Sequence, residues 1–140
     1  MPNHFHLLVH TKDEYMNSDN SLNQRIGTML SSYTFAVNNQ QDRTGSLFQA
    51  KTKAKSLVNN GPENYALICF LYIHQNPLRA GLVTDLKDWP YSSYPDYAGY
   101  RSGQLPDVLN GYEIFEFEDA EHFEKISRQT IDDHHIQHLF

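Results

Sequence analysis

The sequence predicts an α+β fold, with a strand-like segment at residues 4–10, a second alternating segment at residues 47–58, and helical spacing of apolar residues at 18–41 and 64–75. The first segment, HFHLLVH, is short, apolar and rich in aromatic and β-branched types, which favours a strand. Its period of two puts His4 and His6 on one face. Residues 18–41 open with the cap candidates Ser18 and Asp19 and then space Leu22, Ile26, Met29 with Leu30, Tyr33 and Val37 at three and four, the stripe of an amphipathic helix. DRTG at 42–45 breaks it. In the second strand Phe48, Ala50, Thr52, Ala54, Ser56 and Val58 share one face, and Lys51, Lys53 and Lys55 share the other.

NNGP at 59–62 is a turn, and Pro62 and Glu63 suit the first turn of a helix that runs to Gln75. Pro77 disfavours helical backbone at Asn76 and sets the predicted stop. That helix is apolar nearly all round, so burial on several sides is expected. Residues 81–103 are rich in Pro, Gly, Ser and Tyr and read as loops with short elements. Residues 105–140 carry two helices docked by Phe115, Phe117 and Phe123.

A length of 140 residues fits one main domain. The composition, 39% hydrophobic and 20% charged, contains no apolar run long enough for a membrane span. Polar Asn3, His4 and His6 stand where a signal core would have to be, and the lone Cys69 among apolar neighbours predicts a buried thiol in a reducing compartment. A cytoplasmic protein is expected. The net charge of −6 argues against nucleic acid until its distribution is read. Residues 1–101 hold nine Lys and Arg against eight Asp and Glu, whereas residues 102–140 hold two against nine. The acidity belongs to the C-terminal part, so the chain divides into a body at 1–101 and an acidic, helical extension at 102–140. Arg43, Lys51, Lys53 and Lys55 form a basic stretch that no carboxylate interrupts.

Two histidines at i and i+2 on a strand project in parallel and can converge on one divalent ion, although the pair alone is more often structural or incidental. Tyr72 and Asn76, four apart on the second helix, leave one face a turn from each other. An amide oxygen beside two imidazoles suits Mg2+ or Mn2+ with open positions for phosphate better than a closed zinc site. A free phenol ionises near pH 10, about three units above neutrality, and becomes a useful nucleophile where a metal polarises the phosphate it attacks. Tyr72 can also be a packed helix tyrosine, and Asn76 a C-cap ahead of proline. His134 and His138 have the i, i+4 spacing of a helical metal pair but read as a solvated acidic end, as does His135; His74 and His10 have no assignment.

MPNHFHLLV at residues 1–9 resembles the signature strand of the single-tyrosine HUH transposases. GSLFQ at 45–49 with the Lys-alternating segment resembles the strand after that family's first long helix, and YIHQNPLRAGLV at 72–83 resembles its nucleophile helix and exit. WPYSSY at 89–94 is similar to the block that closes the core in the REP-associated branch. The resemblance spans residues 1 to about 98. It implies a ferredoxin-like antiparallel sheet with helices on one face, His4, His6 and Asn76 as ligands of Mg2+ or Mn2+, and Tyr72 as nucleophile. The implied reaction is cleavage and rejoining of single-stranded or hairpin DNA through a covalent 5′-phosphotyrosine. Such a protein is expected at the nucleoid.

Arg43, Lys51, Lys53, Lys55 and Arg79 are the candidates for DNA phosphates, with a solvated strand face as the other reading of the lysines. Tyr91, Tyr94 and Tyr97 are candidates for base stacking or for packing, and Trp89 is assigned to packing. Relatives carry a strand, a helix and most of another strand before the MPNH signature, which here begins the chain. The sheet is therefore expected to lack the family's first strand and helix, and a homodimer is one way to supply the missing pairing. Two further readings stay open: a truncated, inactive remnant that at most binds DNA, and a metal-dependent phosphodiesterase that uses water as nucleophile.

Overall fold

The computed structural model describes residues 5–11, 22–49, 55–57 and 64–132. They form α1 (Leu22–Gln40), α2 (Tyr65–Arg79), a 3-10 turn (Leu86–Asp88), α3 (Tyr94–Tyr97), α4 (Val108–Phe115) and α5 (Ala120–Ser127). There is no strand among the described residues, so the expected antiparallel, ferredoxin-like sheet is corrected to a helical architecture. Residues 5–11, 47–49 and 55–57 run without regular secondary structure. Alternation of apolar residues supplies a face, but a strand exists only through a hydrogen-bonded ladder to a neighbour, and no ladder forms there. Phe5, Leu7, Leu8 and Val9 are all exposed, so neither parity of this segment is buried as a strand's core face would be.

The chain divides into two compact units, residues 9–55 and residues 1–8 with 56–140. The smaller contains α1, which lies within the predicted 18–41. Its helical stripe survives only as partial burial of Ile26, Leu30 and Val37, and none of its nineteen residues is buried. The helix ends with Asp42 in the left-handed region at φ 49°, which lets the Arg43 amide bond the Asn38 carbonyl at 3.0 Å. The Asn38 side chain donates to the Gly45 carbonyl at 2.9 Å, and Tyr33 meets the Phe48 ring at 6.1 Å, which folds residues 43–48 back on α1.

The larger unit is built on α2, where Tyr65, Phe70, Leu71, His74, Gln75, Asn76 and Pro77 are buried, as the all-round apolar pattern predicts. The predicted stop at Gln75 is corrected, because α2 continues through Pro77 to Arg79. Proline in the last turn removes a single amide donor, and the packing around residues 74–77 outweighs that loss. The true stop is Gly81 at φ 68°: its amide bonds Leu78 and that of Leu82 bonds Pro77, both at 3.0 Å, closing the helix end in a Schellman motif.

Against α2 packs an aromatic core of Phe70, Tyr94, Tyr97, Phe117 and Phe123 with Leu71, Leu86 and Ile131. Phe123 is fully buried and meets Tyr94 at 5.2 Å and Tyr97 and Phe117 at 5.4 Å; Phe115 lies 4.5 Å from Phe70. The three phenylalanines expected to dock the C-terminal part all reach this core. Asp107 and Asp119 cap α4 and α5 through the Asn110 and His122 amides. Gly111 of α4 permits close approach, since a Cβ there would overlap the Tyr97 ring. Gln75 ties the C-terminal segment to α2 by donating to the Ser127 and Gln129 carbonyls, each at 2.8 Å.

Candidate active site

Helix α2 carries the site because its two faces do different things. Phe70 and His74 face the aromatic core, while Tyr72, Asn76 and Arg79 fall at i, i+4 and i+7 along another stripe. Tyr72 is half-buried and its ring meets His6 edge-on, with centroids 6.0 Å apart and planes at 78°. His6 comes from the irregular segment at 5–11, so the structure brings together a histidine and a tyrosine separated by 66 positions without the predicted strand. Asn76, one turn further along α2, is only 6% exposed, and its Nδ2 is enclosed with no hydrogen-bond partner among the described residues. A buried amide atom left unmatched costs about 1–3 kcal/mol; His74 Nδ1, the Tyr94 hydroxyl and Ser127 Oγ are enclosed in the same way among the described residues. The helix ends at Gly81, so Asn76 is not the C-cap it resembled in the sequence.

His4, Lys51 and Lys53 lie outside the described residues, as do His134, His135 and His138. Lys55 and Arg43 are exposed and belong to the unit of residues 9–55. Arg79 is exposed at the end of α2, on the stripe of Tyr72 and Asn76. No group of three His, Cys, Asp or Glu side chains that could hold a metal ion occurs among the described residues. Of the expected donor set the described residues include His6 and Asn76, an imidazole and an amide.

The opposite face of α2 holds groups that sequence reasoning left unassigned. His74 is fully buried, its Nε2 2.8 Å from the Ser93 hydroxyl and its ring edge-on to Phe70 at 4.5 Å and to Phe123 at 5.6 Å. Burial pushes its pKa down to about 3, so the imidazole is neutral. It ties α2 to the WPYSSY block. Tyr94 and Tyr97 are buried, which corrects their candidacy for base stacking to a core role; burial pushes the Tyr94 phenol up to about 12. Cys69 is half-buried, less than expected.

Arg101 was also missed. Its Nε donates to Asp96 at 2.9 Å, and its other nitrogens donate to the Pro90 and Ser92 carbonyls at 2.8 and 2.7 Å. The guanidinium, with a further bond from the Gly103 amide, holds the buried Asp96 carboxyl below the usual range. The only sequence signal for this was an Arg five residues after an Asp within a loop-like stretch. The chain matches no family model, no curated protein and no solved structure. No described helix is long and apolar enough to cross a membrane.

Proposed function

We propose that this protein cleaves and rejoins single-stranded DNA through a covalent link to Tyr72. The observation that carries the reading is the contact of His6 with Tyr72, one helical turn from the buried Asn76. These are the residues that the resemblance to HUH transposases assigns to ligand, nucleophile and ligand. The Tyr72 oxygen attacks a backbone phosphorus, the P–O3′ bond breaks, the 3′ oxygen takes up a proton as the phenol gives one to solvent, and the 5′-phosphate stays on Tyr72. Reversal by a 3′-hydroxyl rejoins the strand without an external energy source, because the phosphotyrosine conserves the bond. His4, His6 and Asn76 would hold Mg2+ or Mn2+, which supplies positive charge at the phosphate when bound. The ring of Tyr72 is half-buried, packs against the edge of the core and meets His6 edge-on. In this reading Arg79, on the same stripe, and Arg43, Lys51, Lys53 and Lys55 are the candidates for DNA phosphates. Hairpin DNA, a nucleoid location and pairing of two copies belong to the same reading.

The test is to mix the protein with labelled single-stranded and hairpin oligonucleotides and Mn2+ and look for a labelled protein band on a denaturing gel. A band that disappears in Tyr72→Phe supports the reading; cleavage that survives Tyr72→Phe but not His6→Ala points to a water nucleophile instead. A second reading, an inactive relative that at most binds DNA, is favoured by the lack of a rigid strand beneath His6. It predicts retention of the oligonucleotides with no covalent band.

A further inference from the structure

The loop between the 3-10 turn and α3 combines rigidity with exposure in an unusual way. Tyr91 is 85% exposed, although its neighbours are fixed: Arg101 bonds the carbonyl on either side of it, those of Pro90 and Ser92, and is itself anchored on the buried Asp96. A hydrogen bond from the Ser92 hydroxyl's side of the loop continues the restraint, with the Tyr94 amide donating to that oxygen at 3.1 Å. Trp89 stands edge-on to Tyr91, with centroids 5.4 Å apart and planes at 73°. Tyr94 and Tyr97, three and six residues on, are in the core, so this part of the chain sorts its aromatic rings into buried and displayed. Leaving a large ring in water while ordering the backbone that carries it forgoes hydrophobic stabilisation of about 1.5–3 kcal/mol, and preorganising an exposed aromatic is how binding surfaces reduce the entropy lost on binding. The Arg101 side chain is partly exposed while its guanidinium pairs with Asp96; further on, Lys87 of the 3-10 turn lies 6.0 Å from the Tyr100 ring.

We infer that Tyr91, braced by Trp89, is a stacking platform for an unpaired nucleobase of the strand that the protein handles. This rests on single-stranded nucleic acid being the ligand, as proposed above, and adds the residue that grips it away from Tyr72. A displayed aromatic face on a restrained backbone is a platform of the kind used in sequence-tolerant single-strand binding, in which each stacked base is worth about 1–3 kcal/mol. A paired base offers no free face to such a ring.

Trp89 is the only tryptophan in the chain, so its fluorescence reports on this loop alone. The experiment titrates the full protein with a random-sequence single-stranded DNA library in EDTA, where no cleavage intrudes, and repeats it with the library annealed to its complement. Saturable quenching by the single strands is expected, weaker with duplex, with affinity lowered roughly 5- to 150-fold in Tyr91→Ala and retained in Tyr91→Phe. Quenching that is unaltered in Tyr91→Ala, equally strong with duplex, or absent overturns the platform. Circular dichroism of Tyr91→Ala checks that this exposed substitution leaves the fold intact. The two proposals fail separately: a Tyr72-dependent covalent band with no effect of Tyr91→Ala on binding removes the platform alone, and Tyr91-dependent quenching with no covalent band removes the nicking reaction alone.

Discussion

Helices α1 and α2 have similar sequence credentials and opposite fates. The nineteen residues of α1 include Leu22, Met29, Tyr33 and Phe35, all exposed, and none of its side chains is buried; the fifteen of α2 include seven that are. Periodicity decides that each is a helix, and what lies within reach decides whether it has a core. Around α2 the chain supplies Tyr94, Tyr97, Phe117 and Phe123 from later in the sequence, whereas among the described residues of its own unit α1 meets Phe48. Stability should therefore be concentrated in one unit.

The strongest way to break this contrast is Phe123→Ala. Removing a fully buried ring from the centre of the core should cost about 3–5 kcal/mol, read as a lowered midpoint in urea unfolding of the larger unit. A midpoint within experimental scatter of wild type would mean that the aromatic cluster is not where stability resides. The next effect is on pH. His74 is neutral in the folded protein, its pKa lowered to about 3, whereas the unfolded chain takes up a proton near pH 6.5. The unfolded state thus binds more protons between these values. The contribution of His74 is full above pH 6.5, declines as the pH falls, and amounts to a loss of about 2 kcal/mol by pH 5. His74→Gln, whose amide can donate to or accept from Ser93, should flatten this dependence when unfolding is compared at pH 7.5 and pH 5, and an unchanged slope would show that another group titrates. The smallest effect sharpens the contrast from the other side. Phe35 on α1 is 70% exposed, so Phe35→Ala should change stability by less than about 0.5 kcal/mol. A loss near that of Phe123→Ala would show that α1 is covered in solution.

The helices were legible from the sequence because their signals are local. The stripe through Ile26, Leu30 and Val37, the apolar surround of α2 and the docking role of Phe115, Phe117 and Phe123 need only spacing and composition. The expected strands are not found among the described residues, since a ladder depends on a partner that alternation alone cannot guarantee. The end of α2 was misjudged because Pro77 is a local signal overruled by burial of residues 74–77, and the glycine that does end it lies four residues later. At the site, spacing placed Tyr72 and Asn76 on one stripe. The edge-on meeting with His6 was implied only by a family resemblance. Arg101 and His74 stayed invisible because their roles consist of bonds to Pro90, Ser92, Asp96 and Ser93, which no motif records.

The bonds from Gln75 to the carbonyls of Ser127 and Gln129 span 52 and 54 residues. Such closures are made late, since the loop entropy must be met before the contact stabilises anything. During synthesis, which proceeds from the N-terminus, the helix that carries Tyr72 is complete long before the residues that fasten it have left the ribosome. A chain released before residue 129 would keep the bond between His74 and Ser93 but lack at least one of the two bonds of Gln75, so the last anchors of the helix that carries Tyr72 come from the acidic end of the protein.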